Sequence, residues 1–246
     1  MIARSTDIKS ALRSKQRGFL LNPYRFGGGA ASDPYFANVK LLLHAGGANN
    51  STVFTDSSNS PATVTPIGSA KISTAQSKFG GSSMLFDGTG DGLVVTNAKM
   101  ALGAGDFTIE FFVYLPTNDG LQKGFFGNAD IAAYFFTGKN GAKYPFLVNL
   151  AGARDSTVVT PIAQWFHLAY VRYSSIFYIY LNGVSVGPAN PLNYGANWTN
   201  TTQYIGCYGS GAAGSLNGYM DEFRLTVGVA RYITNFTPPT AAFPDA

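Results

Sequence analysis

Beyond residue 35 the chain is a succession of short runs, alternating apolar and polar or apolar throughout, cut at close intervals by Gly, Asn, Asp and Ser. No stretch of ten residues there carries the period of a helix. The runs are Val39–His44, Ser83–Asp87, Leu93–Thr96, Asp106–Leu115, Phe125–Gly127, Ile131–Thr137, Tyr144–Leu150, Thr157–Thr160, Trp165–Arg172, Phe177–Leu181, Val184–Val186, Gln203–Tyr208 and Tyr219–Val227. Asn182-Gly183 between two of them is a strong hairpin signal, and Gly88 to Gly92 forms a second hairpin loop. About a dozen short strands predict an all-β, two-sheet antiparallel jelly-roll sandwich. No repeat of fixed period is present, which disfavours solenoids and propellers.

The last run sets a problem. Tyr219, Phe223, Leu225 and Val227 fall on one side and Met220, Glu222, Arg224 and Thr226 on the other, which places Asp221 in the apolar row. A carboxylate persists there only with hydrogen bonds or an opposite charge. The strand reads as a central one, closing a sheet begun near residue 40, with Asp221 and Arg224 as a structural clasp. Asp221 is expected to satisfy backbone, Trp165 or His167 groups, and Glu222 to pair with Arg224 or a neighbouring strand. A catalytic set of Asp221, Glu222 and Arg224 is the rival. Glycoside hydrolysis needs two carboxylates facing one sugar, and the only glutamates are Glu110 and Glu222. His44 and His167 sit in apolar runs as core residues, and neither a Gly-x-Ser-x-Gly elbow nor a zinc-spaced Cys/His cluster occurs. No catalytic residue is assigned, and the chain is expected not to be an enzyme.

Residues 1–35 read as an extended N-terminal arm with a Gly-rich joint, and residues 36–246 as the jelly-roll domain. Arg4, Lys9, Arg13, Lys15, Arg17 and Arg25 stand against Asp7 alone, so the net charge of +4 belongs to the arm. Arg13, Arg17, Phe19, Leu20, Leu21, Tyr24, Arg25 and Phe26 precede the triple glycine at 27–29. An apolar segment on such a tether should dock, preferably on another chain. A first strand folded back on the sandwich is the alternative, and a nucleic-acid tail ranks third, the cations being interleaved with too many apolar residues. Charged residues make up 12% of the chain, about half the usual quarter. A Ser/Thr/Asn-rich surface or burial against other subunits follows, and a homo-oligomer is expected. Cys207 is alone, which excludes an internal disulfide and suggests a buried, inert thiol. No apolar run approaches the roughly 20 residues of a membrane span, and no signal-peptide core is seen. Synthesis in a cytoplasm without membrane insertion is expected.

For ligand contact, loop aromatics beside amides are the candidates: Tyr194, Asn197, Trp198 and Tyr208, with Tyr134, Asn193 and Asn200 nearby. Aromatic faces with amides grip sugars in shallow sites, although turn packing accounts for the same residues. Asp87, Asp91 and Asp106 are the carboxylates near turns that could share a cation, turn capping being the alternative.

Four segments taken in order resemble the laminin G-like, concanavalin A-like jelly-roll domains. They are Phe86-Asp87-Gly88-x-Gly90-Asp91 with Leu93; Asp106 to Glu110; Trp165-x-His167-Leu168-Ala169-x-x-Arg172 with Tyr180 to Gly183; and Gly218 to Arg224 with Ala230-Arg231-Tyr232. The ending Val229 to Thr240 and the opening Asp33-Pro34-Tyr35-Phe36 look like the modules appended to bacteriophage virion proteins. The resemblance implies a sandwich of thirteen or fourteen strands, often glycan-binding, sometimes with calcium at one rim. In phages it implies a surface decoration or tail-fibre element, hence a virion-surface location with other virion proteins and a host surface glycan as partners. His44-Ala45-Gly46-Gly47 lacks the aspartate such members often carry there, which argues against calcium, so no cofactor is expected. The Glu-x-Asp-x-x-Glu pattern of glucanases on this fold is absent. The functional expectation is an adhesion or structural component of a virion, and a carbohydrate-active enzyme is the alternative.

Overall fold

The computed structural model describes residues 32–128, 135–139, 143–148, 152–187 and 196–246. The docking residues expected between Arg13 and Phe26, and Tyr194, lie outside the described residues. Asp33–Ala246 form one compact unit, so Asp33 and Tyr35, on the arm side of the expected boundary, are built into the domain. In chain order the strands are β1 (Val39–Leu43), β2 (Val64–Ile67), β3 (Lys71–Ser73), β4 (Ser83–Asp87), β5 (Gly92–Thr96), β6 (Phe107–Tyr114), β7 (Lys123–Gly127) and β8 (Phe135–Lys139). They continue as β9 (Lys143–Val148), β10 (Gly152–Val159), β11 (Trp165–Tyr173), β12 (Ile176–Leu181), β13 (Val184–Gly187), β14 (Thr202–Ile205) and β15 (Asn217–Val227). One sheet runs β13-β12-β11-β6-β15-β4-β3 with β1 also on β15, and the other runs β10-β9-β8-β7-β14-β5-β2. All described pairings are antiparallel. Three 3-10 turns, and no α-helix, occur among the described residues.

β2 and β3 were not legible as runs. Each is the edge strand of its sheet; β2 carries Pro66, and β3 is only Lys71-Ile72-Ser73. Short, polar or Pro-bearing strands belong at edges, where half the ladder is unpaired.

The core lies between the sheets. Phe107, Ile109, Phe111 and Val113 of β6, Phe166 and Leu168 of β11, and Phe223 and Leu225 of β15 face Leu93, Val95, Phe126 and Ile205 of the other sheet. Each such side chain contributes about 1.5–3 kcal/mol by leaving water. The alternate residues of β6, Thr108, Glu110 and Phe112, point outward and are buried as well. A strap formed by residues 229–246 after β15 covers Thr108 and Glu110 through Arg231 and Tyr232, with Phe236 on His167 and Phe243 on Arg224 beside them, and Phe79 covers Phe112.

Along β15 the alternation changes phase. Asp221 pairs with Phe112 and Arg224 with Glu110, so three residues of β15 span two of β6, and Glu222 takes a left-handed φ of 51°. This is a β-bulge, in which one extra residue turns the following side chains over. Met220 faces the core before it, and Phe223 and Leu225 face the core after it. Asp221 therefore lies on the outer face, not in the core-facing row expected from simple alternation. Below the bulge β15 pairs with β4, and above it with β1. At this seam the Asp221 carboxylate accepts from the backbone N–H of Lys78 (2.8 Å), Phe79 (3.1 Å) and Glu222 (2.9 Å). Its partners are thus backbone groups and not the side chains of Trp165 or His167.

Candidate functional site

The densest chemistry sits on the outer face, under the strap. Arg224 donates from Nε and Nη2 to Glu110 Oε1 at 3.0 and 2.8 Å, and from Nη1 to Asp33 Oδ2 at 3.0 Å. Arg231 adds a bidentate grip on Asp33 at 3.0 and 2.6 Å, and the Tyr232 hydroxyl donates to Glu110 Oε2 at 2.8 Å. His167 Nε2 is 3.3 Å from the same oxygen, without the alignment of a hydrogen bond. The Arg224 guanidinium lies 3.8 Å from the Phe243 ring centre. Burial alone would raise the Glu110 pKa, but Arg224, then His167 and Arg231, hold it down at about 2.

Glu222 does not pair with Arg224. The bulge turns it to His44, whose Nδ1 is 2.9 Å from both carboxylate oxygens, while His44 Nε2 is 2.5 Å from Asp245. Burial works against the charged imidazole, yet Glu222 and Asp245 push its pKa up to about 9. Phe243 N–H donates to Glu222 at 2.7 Å, and Asp33 N–H to Ala246 O at 2.6 Å. Carboxylates, a histidine, arginines and a tyrosine resemble the inventory of a hydrolytic centre. Here Glu110 and His167 are fully buried beneath the strap, and the group fastens chain segments to each other. Glu110, Asp33, Arg231 and His44 were not singled out with Arg224, because their juxtaposition requires the strap.

The expected ligand residues do not form one patch. Asn197 is exposed at the upper end of the sandwich, where β15 ends at Val227. Trp198 beside it is fully buried, its ring 5.9 Å from Phe107, 5.6 Å from Phe177 and 5.0 Å from the Arg172 guanidinium. A tryptophan in a short polar loop looked exposed, but backbone pairing with Gly103 draws it inside. Tyr208 lies past the lower end of β14, half-buried against Gly214, where a Cβ would come 1.9 Å from its ring.

The three aspartates do not meet at one point either: Asp91 lies beside Asp87, but Asp106 is remote from both. Asp87 pairs with Asn217, and Asp106 precedes Phe107, which pairs with Val227. They stand at opposite ends of β15, about 30 Å apart at strand rise, and cannot share a cation. Each caps a turn instead: Asp91 accepts from Ser69 and Asp87 N–H at 2.6 and 2.8 Å, Asp87 from Thr89 at 2.8 Å, and Asp106 from Ser174 at 2.9 Å. Among the described residues no group of three or more His, Cys, Asp or Glu is placed to hold a metal ion.

A further surface lies at the lower end of the same outer face. Trp165 of β11, Tyr114 of β6 and Tyr219 of β15 are directly opposite one another across three adjacent strands. Leu85 of β4 and Lys71 of β3 continue the line. All five are half-buried. Ring centres are 5.8 Å apart from Trp165 to Tyr114 and 6.0 Å from Tyr114 to Tyr219, the planes turned by 55° and 77°. Asn217 and Asp87 face each other on the next level down. The segment at Lys78–Phe79 and the strap cover the level above, at Phe112 and His167. The only local signal was three aromatics at strand ends, on the side opposite the core-facing residues.

Residues 87–228, more than half of the chain, match the family model of the concanavalin A-like lectin/glucanases superfamily, laminin G type, and the chain belongs to that family. Domain 4 of the extracellular arabinanase AbnA from Geobacillus stearothermophilus, solved with arabinotriose, is similar at 18% identity and a TM-score of 0.58, over 78% of this chain and 95% of that one. A botulinum neurotoxin type C structure, described as entering cells through interaction with two ganglioside molecules, aligns at 13% identity and a TM-score of 0.57, over 78% and 48%. Trypanosoma rangeli sialidase with a difluoro-KDN ligand aligns at 17% and 0.59, over 92% and 34%. The chain thus spans about half of the toxin structure and a third of the sialidase. At these identities the likeness is one of fold, a fold shared by binding domains and by proteins that contain enzymes. No curated protein sequence matches the chain.

Proposed function

We propose that the domain is a non-catalytic glycan-binding attachment module. The observation that carries this reading is where the polar chemistry is spent. The six buried carboxylates described, Asp33, Asp56, Asp91, Glu110, Asp221 and Glu222, are engaged by backbone N–H groups or cations. The Trp165–Tyr114–Tyr219 row, by contrast, lies on the outer face and is half-exposed. A glycosidase needs two carboxylates directed at one sugar, whereas a lectin-type surface needs aromatic faces with polar groups beside them. The arabinotriose and ganglioside descriptions of two fold relatives support sugar binding on this scaffold. A glycan array probed with the whole chain tests the reading: retention of at least one glycan class without its cleavage is expected, and release of reducing ends would favour the hydrolase alternative.

The finer reading places the module on a bacteriophage virion, as a surface decoration or tail-fibre component made in the host cytoplasm. Residues 1–32 serve as the docking arm and residues 33–246 as the displayed domain, with other virion proteins bound through residues 1–30, homo-oligomeric display and a host surface glycan as ligand. The phage-like Val229 to Thr240 segment and the basic, aromatic arm support it. Deleting residues 1–30 is expected to remove the protein from purified particles; full occupancy without them would refute docking by the arm.

A further inference from the structure

Among the described residues no strand carries the aromatic row further at either end. On one side it reaches β3, the edge of the sheet. On the other, β12 stops at Leu181, opposite Leu168, and the chain turns back at Asn182-Gly183 before reaching the level of Trp165. Above the row stands a wall: Phe79 packs on Phe112 at 5.3 Å and Phe236 on His167 at 5.7 Å. Among the described residues the row is therefore a ledge running at right angles to the strands, with no strand closing either end.

Its dimensions and chemistry fit a chain of sugar rings. Rings that repeat at 5.8 and 6.0 Å are spaced close to the length of one sugar residue in an extended chain. Their mutual tilt makes the ledge corrugated, so that successive sugars seat their C–H faces against successive aromatics. The polar groups needed to hold hydroxyls are present. Among the described residues the hydroxyls of Tyr114 and Tyr219, the indole N–H of Trp165 and the Lys71 ammonium have no hydrogen-bond partner, and Asn217 with Asp87 lines the lower border. Half-exposed aromatics with free polar tips are the composition of a shallow, orienting site.

We propose that the ledge formed by Trp165, Tyr114 and Tyr219 binds the interior of an extended, linear glycan, across several consecutive rings, and not a terminal sugar. The proposal rests on the attachment reading given above. It ties the affinity of the domain to the length of the chain it meets, as suits a module that attaches to a polymer surface.

The test uses the full chain and the glycan class that gives the strongest array signal, supplied as single sugars, pairs, triples and longer chains of one repeat. Binding is followed by titration calorimetry and by tryptophan fluorescence; of the two tryptophans Trp198 is sealed in the core, so a ligand-induced change reports Trp165. Affinity is expected to rise with each ring up to three and then level off. Tyr114→Ala and Tyr219→Ala should each weaken binding of the triple about tenfold, at the upper range for one aromatic contact, with Tyr219→Phe showing a smaller loss and thermal midpoints confirming the fold. Equal affinity for single sugars and long chains would overturn the proposal. So would undiminished binding in the Tyr114 and Tyr219 variants, which would leave the attachment reading standing with its site elsewhere. A change of oligomeric state in those variants without loss of glycan would make the ledge a contact between copies. Failure of the native chain to bind any glycan would remove the attachment reading together with the proposal.

Discussion

Glu110 can be replaced by Gln with almost no change in shape, which isolates its charge. In the folded domain its pKa is depressed from 4.5 to about 2 because Arg224, His167 and Arg231 outweigh the opposing effect of burial. A depressed carboxylate contributes stability that is complete above its unfolded value and is lost as the pH falls through its folded one. The window is therefore pH 4.5 down to 2. The difference corresponds to about 3 kcal/mol, consistent with the roughly 3–5 kcal/mol lost when one partner of a buried ion pair is removed. At pH 7, Glu110→Gln should lower unfolding stability by about 3 kcal/mol, or the melting midpoint by about 6–12 °C for a domain of this size. Denaturant titrations of both proteins at intervals from pH 7 to 2 provide the assay. The two stabilities should converge as the pH approaches 2. If the gap between them is constant across that range, the Arg224–Glu110 charge pair does not stabilise the fold in the way described.

Asp221 should behave in the opposite sense. Burial raises its pKa to about 7 despite three backbone donors, so its stabilising effect is lost as pH rises from 3.8 towards 7; Asp221→Ala should cost about 2–4 kcal/mol through the orphaned N–H groups, read by denaturation at pH 5. Gly183 has a φ of 78° and a Cβ there would lie 1.9 Å from Phe236 O. Gly183→Ala should therefore lift the strap, expose Phe236 and give new proteolytic cuts between residues 229 and 246, detectable by mass spectrometry. Burial pushes the Cys207 thiol up to about 11, and iodoacetamide at pH 8 should leave it unmodified in the native chain and alkylate it in denaturant.

Much of the fold was legible because sheets bury one face at a time. The alternation of Phe107, Ile109, Phe111 and Val113 and the Asn182-Gly183 turn are local signals, and the described strands follow them. Edge strands gave none, since β2 and β3 have little to bury. The bulge at Glu222 was hidden for a different reason: alternation assumes a constant phase, and only pairing with β6 shows that one residue has been inserted. Asp221 was correctly read as needing partners, but was placed on the wrong face. Site residues were less legible still. Trp198 and Tyr208 are ten residues apart in sequence and at opposite ends of a strand in space. Trp165, Tyr114 and Tyr219 are scattered over more than a hundred residues of sequence and meet because β11, β6 and β15 are neighbours.

The attachment of Asp33 has a mechanical side. Its N–H holds Ala246, and its carboxylate grips Arg224 on β15 and Arg231 on the strap. Tension arriving through residue 32 is thus delivered into β15, at the upper part of that strand. Tension from a glycan held at Tyr219, as proposed above, would enter the same strand near its lower end. Loaded at two points of one strand, β15 carries the tension along its own covalent backbone, and its hydrogen bonds to β6, β1 and β4 are spared most of the load.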